Sequence, residues 1–78
     1  MNWIKSEDKL VKSFKFKNFD NAIDFINNVA VISKKLNHHP KIINIYNVVD
    51  IELWTHDSNS ITDLDYKLAK EIDSITQK

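Results

Sequence analysis

The chain carries three histidines, His38, His39 and His56, and these are its best candidates for moving protons near neutrality. Histidine in general titrates at about 6.5, so it gives and takes a proton under ordinary conditions. All three fall where structural elements are expected to end: His38 and His39 after a helix, His56 at the close of a strand. A rigid element aims a side chain, and its end leaves that group reachable. Plainer readings exist for each. A histidine at a helix C-terminus satisfies terminal carbonyls, and His56 between Thr55 and Asp57 fits an ordinary loop. A zinc site with an open fourth position is a further option for three histidines. It is disfavoured, because neighbours in extended chain point to opposite sides and Pro40 biases His39 toward that geometry. Nor is there a His-x-x-His or His-x-x-x-His spacing, so no metal ligand is expected.

The elements that must position these side chains follow from changes in apolar period. Residues 9–17 alternate, with Phe14 and Phe16 between Ser13, Lys15 and Lys17, which predicts a half-buried strand with a lysine-rich outer side. A short additional strand near Trp3 is a further expectation. Residues 20–37 shift to helical spacing, with Ala22, Ile26, Val29, Ala30, Ser33 and Leu36 on one face. Asp20, or Asn18 if the helix begins earlier, is its expected N-cap. Lys34 and Lys35 suit its negative C-terminal end, and Pro40 requires it to stop near Asn37. Residues 42–47 and 49–56 read as two more strands, joined by a hairpin around Asn47 and Val48. In the second, Val49, Ile51, Leu53 and Thr55 alternate with Asp50, Glu52, Trp54 and His56.

A second helix is expected over residues 61–76. Thr62-Asp63-Leu64-Asp65 has the form of a capping box, with Ile61 and Tyr66 placed as a hydrophobic staple. Leu64, Leu68, Ile72 and Ile75 form its expected buried face. The resulting order is β-α-β-β-α, an α+β arrangement with two helices on one face of an antiparallel sheet.

Composition narrows the functional classes. At 78 residues there is room for a single domain over residues 1–78. A domain of about 60 to 80 residues buries only roughly 60% of its unfolded surface and usually needs a further source of stability. With no cysteine, disulfides are excluded, and self-association becomes the expected source. Eleven lysines balance eleven acidic residues and arginine is absent, a poor endowment for nucleic-acid recognition. No apolar run approaches the roughly 20 residues that span a bilayer, and residues 1–12 lack a signal-peptide core. The expectation is a cytoplasmic protein engaging neither membrane nor nucleic acid. Glycine is also absent, so tight turns are expected to fall on asparagine and aspartate.

Four blocks together carry a family resemblance: Lys34-Lys35-Leu36-Asn37-His38-His39-Pro40, Asn44-Ile45-Tyr46-Asn47, Thr55-His56, and Asp65. They resemble the signature of the pterin-4a-carbinolamine dehydratases, and the intervals between them match without insertion or deletion. The likeness continues upstream through Trp3, Phe14-Lys15-Phe16, Phe19, Ala22, Phe25 and Val29-Ala30, so it covers nearly the whole chain. Departures fall at Lys34, where an acidic residue is common, at Ile42, where many members are aromatic, and at Asn59 and Ser60, which replace glycines.

The resemblance implies dehydration of 4a-hydroxytetrahydropterin to quinonoid dihydropterin without a metal or redox cofactor. It also implies an α+β fold and a homodimer or homotetramer. His38, His39, His56 and Asp65 would be the catalytic residues, with His38 and His56 moving protons and His39 orienting the pterin. Pro40, Thr55, Asp57 and Ser58 would complete the substrate site. A non-catalytic pterin-binding or assembly relative of the same fold is the alternative; retention of all three histidines argues against it.

Overall fold

The computed structural model describes residues 2–76. Its elements run β1 (Ile4–Ser6), β2 (Lys9–Lys15), α1 (Phe19–Leu36), β3 (Lys41–Ile45), β4 (Val48–Leu53) and α2 (Asp63–Thr76). The short strand expected near Trp3 is β1, so the order is β-β-α-β-β-α. All pairings are antiparallel, and the four strands lie in the order β1-β2-β4-β3.

Register decides which residues reach the core. Leu10 pairs with Leu53, Phe14 with Val49 and Ile42 with Ile51, and these point to the face that carries the helices. Ala22, Phe25 and Val29 of α1 and Leu68, Ala69 and Ile72 of α2 close over them. Phe25 packs between the Phe14 and Phe16 rings, with centroids 4.8 and 4.9 Å away. Among the described residues the opposite face of the sheet has no helix over it, and it presents Ile4, Val11, Ile43, Ile45 and Val48. Among the described residues, no helix is long and apolar enough to cross a membrane.

Lys12 departs from the lysine-out pattern. Its register partner is Ile51, so it points inward, where Nζ lies 2.8 Å from Asp73 of α2. The Trp3 indole N–H also donates to Asp73, at 3.1 Å. One carboxylate thereby ties the N-terminal segment and β2 to the last helix. An inward ammonium is tolerable only with such a partner.

Several boundaries differ from the sequence expectation, each for an identifiable reason. Asn18, not Asp20, caps α1: its side chain accepts the Asn21 N–H at 2.8 Å, and Asp20 falls in the first turn. In α1, Ala30 is exposed and Phe25 takes its place in the core. The β3–β4 turn is Tyr46–Asn47, one residue earlier than expected, which keeps β-branched Val48 in the strand. Asn47 is held instead by a bond from its side chain to the Phe16 carbonyl. In α2, Leu64 is 43% exposed, while Asp65 joins Leu68, Ala69 and Ile72 on the buried face. The expectation that asparagine would serve the left-handed positions holds at Asn37 and Asn59, but Glu7 and Tyr46 also adopt positive φ. For such residues left-handed backbone costs about 1–2 kcal/mol each, which the flanking strand ladders offset.

Candidate active site

Three element ends meet at one end of the sheet: the C-terminus of α1, the segment after β4 and the N-terminus of α2. The end of α1 is closed by a double bond pattern. Asn37 turns left-handed at φ 52° and ψ 43°. Its N–H then donates to the Lys34 carbonyl at 3.2 Å, and the His38 N–H to the Ser33 carbonyl at 3.0 Å. This is a Schellman closure. It fixes the His38 backbone against the helix before Pro40 leads into β3.

The imidazole so placed meets Asp65. His38 Nε2 and Asp65 Oδ1 are 2.5 Å apart, with the His38 side chain 11% exposed and the carboxylate fully buried. Two further donors converge on Oδ2: the Thr62 N–H at 2.9 Å and the Thr55 hydroxyl at 2.9 Å. Thr55 also lies 2.6 Å from the Thr62 hydroxyl. A hydroxyl has one proton, and that of Thr55 is directed at Asp65, so Thr62 is the donor to Thr55. Among the described residues no buried side-chain polar atom lacks a partner.

Asp65 thus completes half of the expected capping box. Its carboxylate accepts the Thr62 N–H, at a helix end where negative charge is favoured. The other half is replaced, because the Thr62 hydroxyl turns to Thr55 and the Asp65 N–H bonds the Thr62 backbone carbonyl at 3.0 Å. Two donors occupy Oδ2; an ionised carboxylate accepts Nε2–H from His38 at Oδ1, and Nδ1 then lies outside this network.

Of the remaining sequence-predicted residues, Ser58 donates to the Thr55 carbonyl at 3.5 Å, and the others make no side-chain hydrogen bond to the network among the described residues. His56 opens a tight turn that Asn59 closes, its N–H donating to the His56 carbonyl at 3.3 Å. Thr55 and Ser60 bridge across the turn's base. The His56 ring is exposed and sits 5.8 Å from the Trp54 ring, centroid to centroid. His39 is exposed and makes no side-chain hydrogen bond among the described residues. Pro40 is half-buried, and Asp57 and Ser58 lie exposed on the turn, with Ser58 Oγ 2.8 Å from Ser60 Oγ. Among the described residues there is no group of three metal-ligating side chains.

Two residues near these groups were not singled out from sequence. Thr62 was read only as a cap, although an Oγ beside a site carboxylate has capacity for both. The Trp54 ring lies beside the His56 ring, but β4 stops at Leu53, so the strand expected through His56 ends earlier and His56 falls in the turn.

Residues 1–75 match the family model described as pterin 4 alpha carbinolamine dehydratase. A Prochlorococcus marinus protein named "Putative pterin-4-alpha-carbinolamine dehydratase" is 56% identical over 73 residues, spanning 94% of this chain and 76% of that protein. A Metallosphaera sedula protein of the same name is 45% identical over 74 residues, spanning 95% and 77%. A crystal structure of a "transcriptional coactivator/pterin dehydratase" from Brucella melitensis superposes with a TM-score of 0.91 at 41% identity, covering 95% of this chain and 81% of that one. A pterin dehydratase-like protein described as a RuBisCO assembly factor in the alpha-carboxysome shares the fold, with a TM-score of 0.84 at 20% identity over 100% of this chain and 93% of that one.

Proposed function

Since the chain belongs to the pterin-4a-carbinolamine dehydratase family, we propose that it converts a 4a-hydroxytetrahydropterin to the quinonoid dihydropterin and water. The observation that carries this reading is the buried Asp65 carboxylate, held by Thr55 and Thr62 and bonded to His38 at the meeting of three elements. A cap alone has no need of a histidine.

In the reaction the C4a–O bond breaks with its electron pair on oxygen, and the lone pair of the adjacent ring nitrogen forms the C=N bond. The oxygen takes one proton and leaves as water; a ring N–H surrenders another. No net proton or electron is exchanged, so an acid and a base of matched strength suffice. His38, working through Nδ1, and His56 are assigned these two transfers. Asp65 holds the His38 tautomer, His39 orients the pterin while Pro40 fixes the local backbone, and the turn carrying Thr55, Asp57 and Ser58 lines its polar edge.

Stopped-flow dehydration of a synthetic 4a-hydroxytetrahydropterin tests the reading. Acceleration over buffer is expected. A rate equal to buffer would leave the non-catalytic pterin-binding or assembly alternative in its place.

The same proposal includes self-association. Ile4 and Ile45 lie on the helix-free sheet face and are 60% and 73% exposed, and a chain of this size gains stability by covering such a face. Sedimentation equilibrium is expected to give a multiple of the 9.2 kDa chain mass. A concentration-independent monomer would exclude it.

A further inference from the structure

The geometry points to Trp54 as a binding residue of this site: its indole forms the aromatic wall against which the flat pterin ring rests. The inference builds on the pterin reading above and assigns a residue that reading leaves unused.

β4 ends at Leu53, whose side chain lies in the core; two residues on, Thr55 reaches Asp65, while Trp54 between them sets its ring beside that of His56. The β3–β4 register pairs Lys41 with Glu52. Continued past that pair, it sets His38 opposite Thr55 and His39 opposite Trp54. The first projection agrees with the bonds, because His38 and Thr55 both reach Asp65. On the other flank the β2–β4 register pairs Leu10 with Leu53 and brings Lys9 beside Trp54, where its Nζ stands 4.7 Å above the indole. The indole is therefore flanked by Lys9 and His56, with His39 on the projected register, and both histidines are assigned to the substrate.

Burial offers no competing task for it. Trp54 is half-buried, yet it is not among the partly buried hydrophobics that pack on the core, as Trp3, Phe16 and Ile42 are. Its ring meets the His56 ring at 41°, which leaves a wedge between two planar groups. Lys9 is in turn steadied by Glu52 at 3.5 Å, so a cation holds one side of the indole, and the exposed His56 ring lies beside it. A fused heterocycle gains from an offset-stacked or edge-to-face aromatic neighbour. Isoleucine at position 42 supplies no such neighbour, and its side chain points into the core face. Trp54 supplies it from the adjacent strand.

Calorimetric titration of the full chain with 7,8-dihydrobiopterin, alongside Trp54→Phe, Trp54→Leu and Trp54→Ala, tests the assignment. Trp54→Phe is expected to hold Kd within about 3-fold, whereas Trp54→Leu and Trp54→Ala raise it about 10-fold, a change of about 1.4 kcal/mol. The Leu variant keeps bulk without a ring and so separates stacking from filling space. Equal Kd for wild type, Leu and Ala variants would overturn the inference. Absence of binding by the wild type would overturn it together with the pterin reading. Ring-dependent binding without turnover in the dehydration assay would support Trp54 and remove only the dehydratase step.

Discussion

His38→Ala and His56→Ala are each expected to lower the catalysed dehydration rate by about 10²- to 10⁴-fold, the range that one positioned acid or base usually supplies. The two losses have different structural origins. At position 38 the substitution removes an imidazole whose Nε2 is committed to Asp65 and whose Nδ1 is the nitrogen assigned to proton transfer. It also deprives Asp65 Oδ1 of a donor, and an unmet buried acceptor costs about 1–3 kcal/mol. His38→Ala should therefore unfold at lower temperature as well as turn over slowly. At position 56 the ring is exposed and contacts Trp54 without a hydrogen bond among the described residues. His56→Ala should lose turnover with an unchanged melting temperature. Stopped-flow rates paired with thermal unfolding curves check both variants. Turnover near wild type in either would remove that histidine from the proton transfers.

Substitution at Asp65 has the second large effect, and there two variants separate fold from chemistry. Asp65→Ala leaves the Thr62 N–H, the Thr55 hydroxyl and His38 Nε2 without their common acceptor. Breaking a buried charged arrangement from one side costs about 3–5 kcal/mol. Against a total stability of about 5–15 kcal/mol this is severe, and a large drop in the denaturation midpoint is expected. Asp65→Asn preserves the shape and one acceptor oxygen. If that oxygen keeps Thr55 and Thr62, the amide NH₂ confronts His38, which must present a lone pair and carry its proton on the opposite nitrogen. Exchanging a carboxylate that orients a catalytic imidazole for an amide drops turnover by about 10⁴ where this has been dissected, with geometry intact. Asp65→Asn is accordingly expected to stay folded and lose about 10²- to 10⁴-fold in rate. Chemical denaturation and the dehydration assay, read together, check the pair. An active Asp65→Asn would mean that the tautomer is set by some other group.

Local patterning carried most of the fold. The 3.6-residue period of α1, the stop enforced by Asn37 and Pro40, and the alternation of Val49, Ile51 and Leu53 each rest on interactions within a few residues. The structure agrees with them. Long-range contacts account for the misses. Lys12 points inward only because Asp73, 61 residues away, awaits it. The hairpin turn sits at Tyr46 because the Asn47 side chain is held by the Phe16 carbonyl, 31 residues distant. At the site, Thr62 and Asp65 were visible as a helix start, but the diversion of the Thr62 hydroxyl to Thr55 depends on where β4 ends. Asp65 was also placed off the buried face by counting Leu64 into it; a shift of one residue turns a helix by about 100° and exchanges the two.

The bond between the His38 amide and Ser33 has an entropic consequence. Ordering one residue's backbone removes about 1–2 kcal/mol of conformational freedom, and at this position that freedom is already gone when the helix forms. A ligand meeting the imidazole need only select among side-chain rotations, so its affinity is not diminished by freezing a loop beneath the group it contacts.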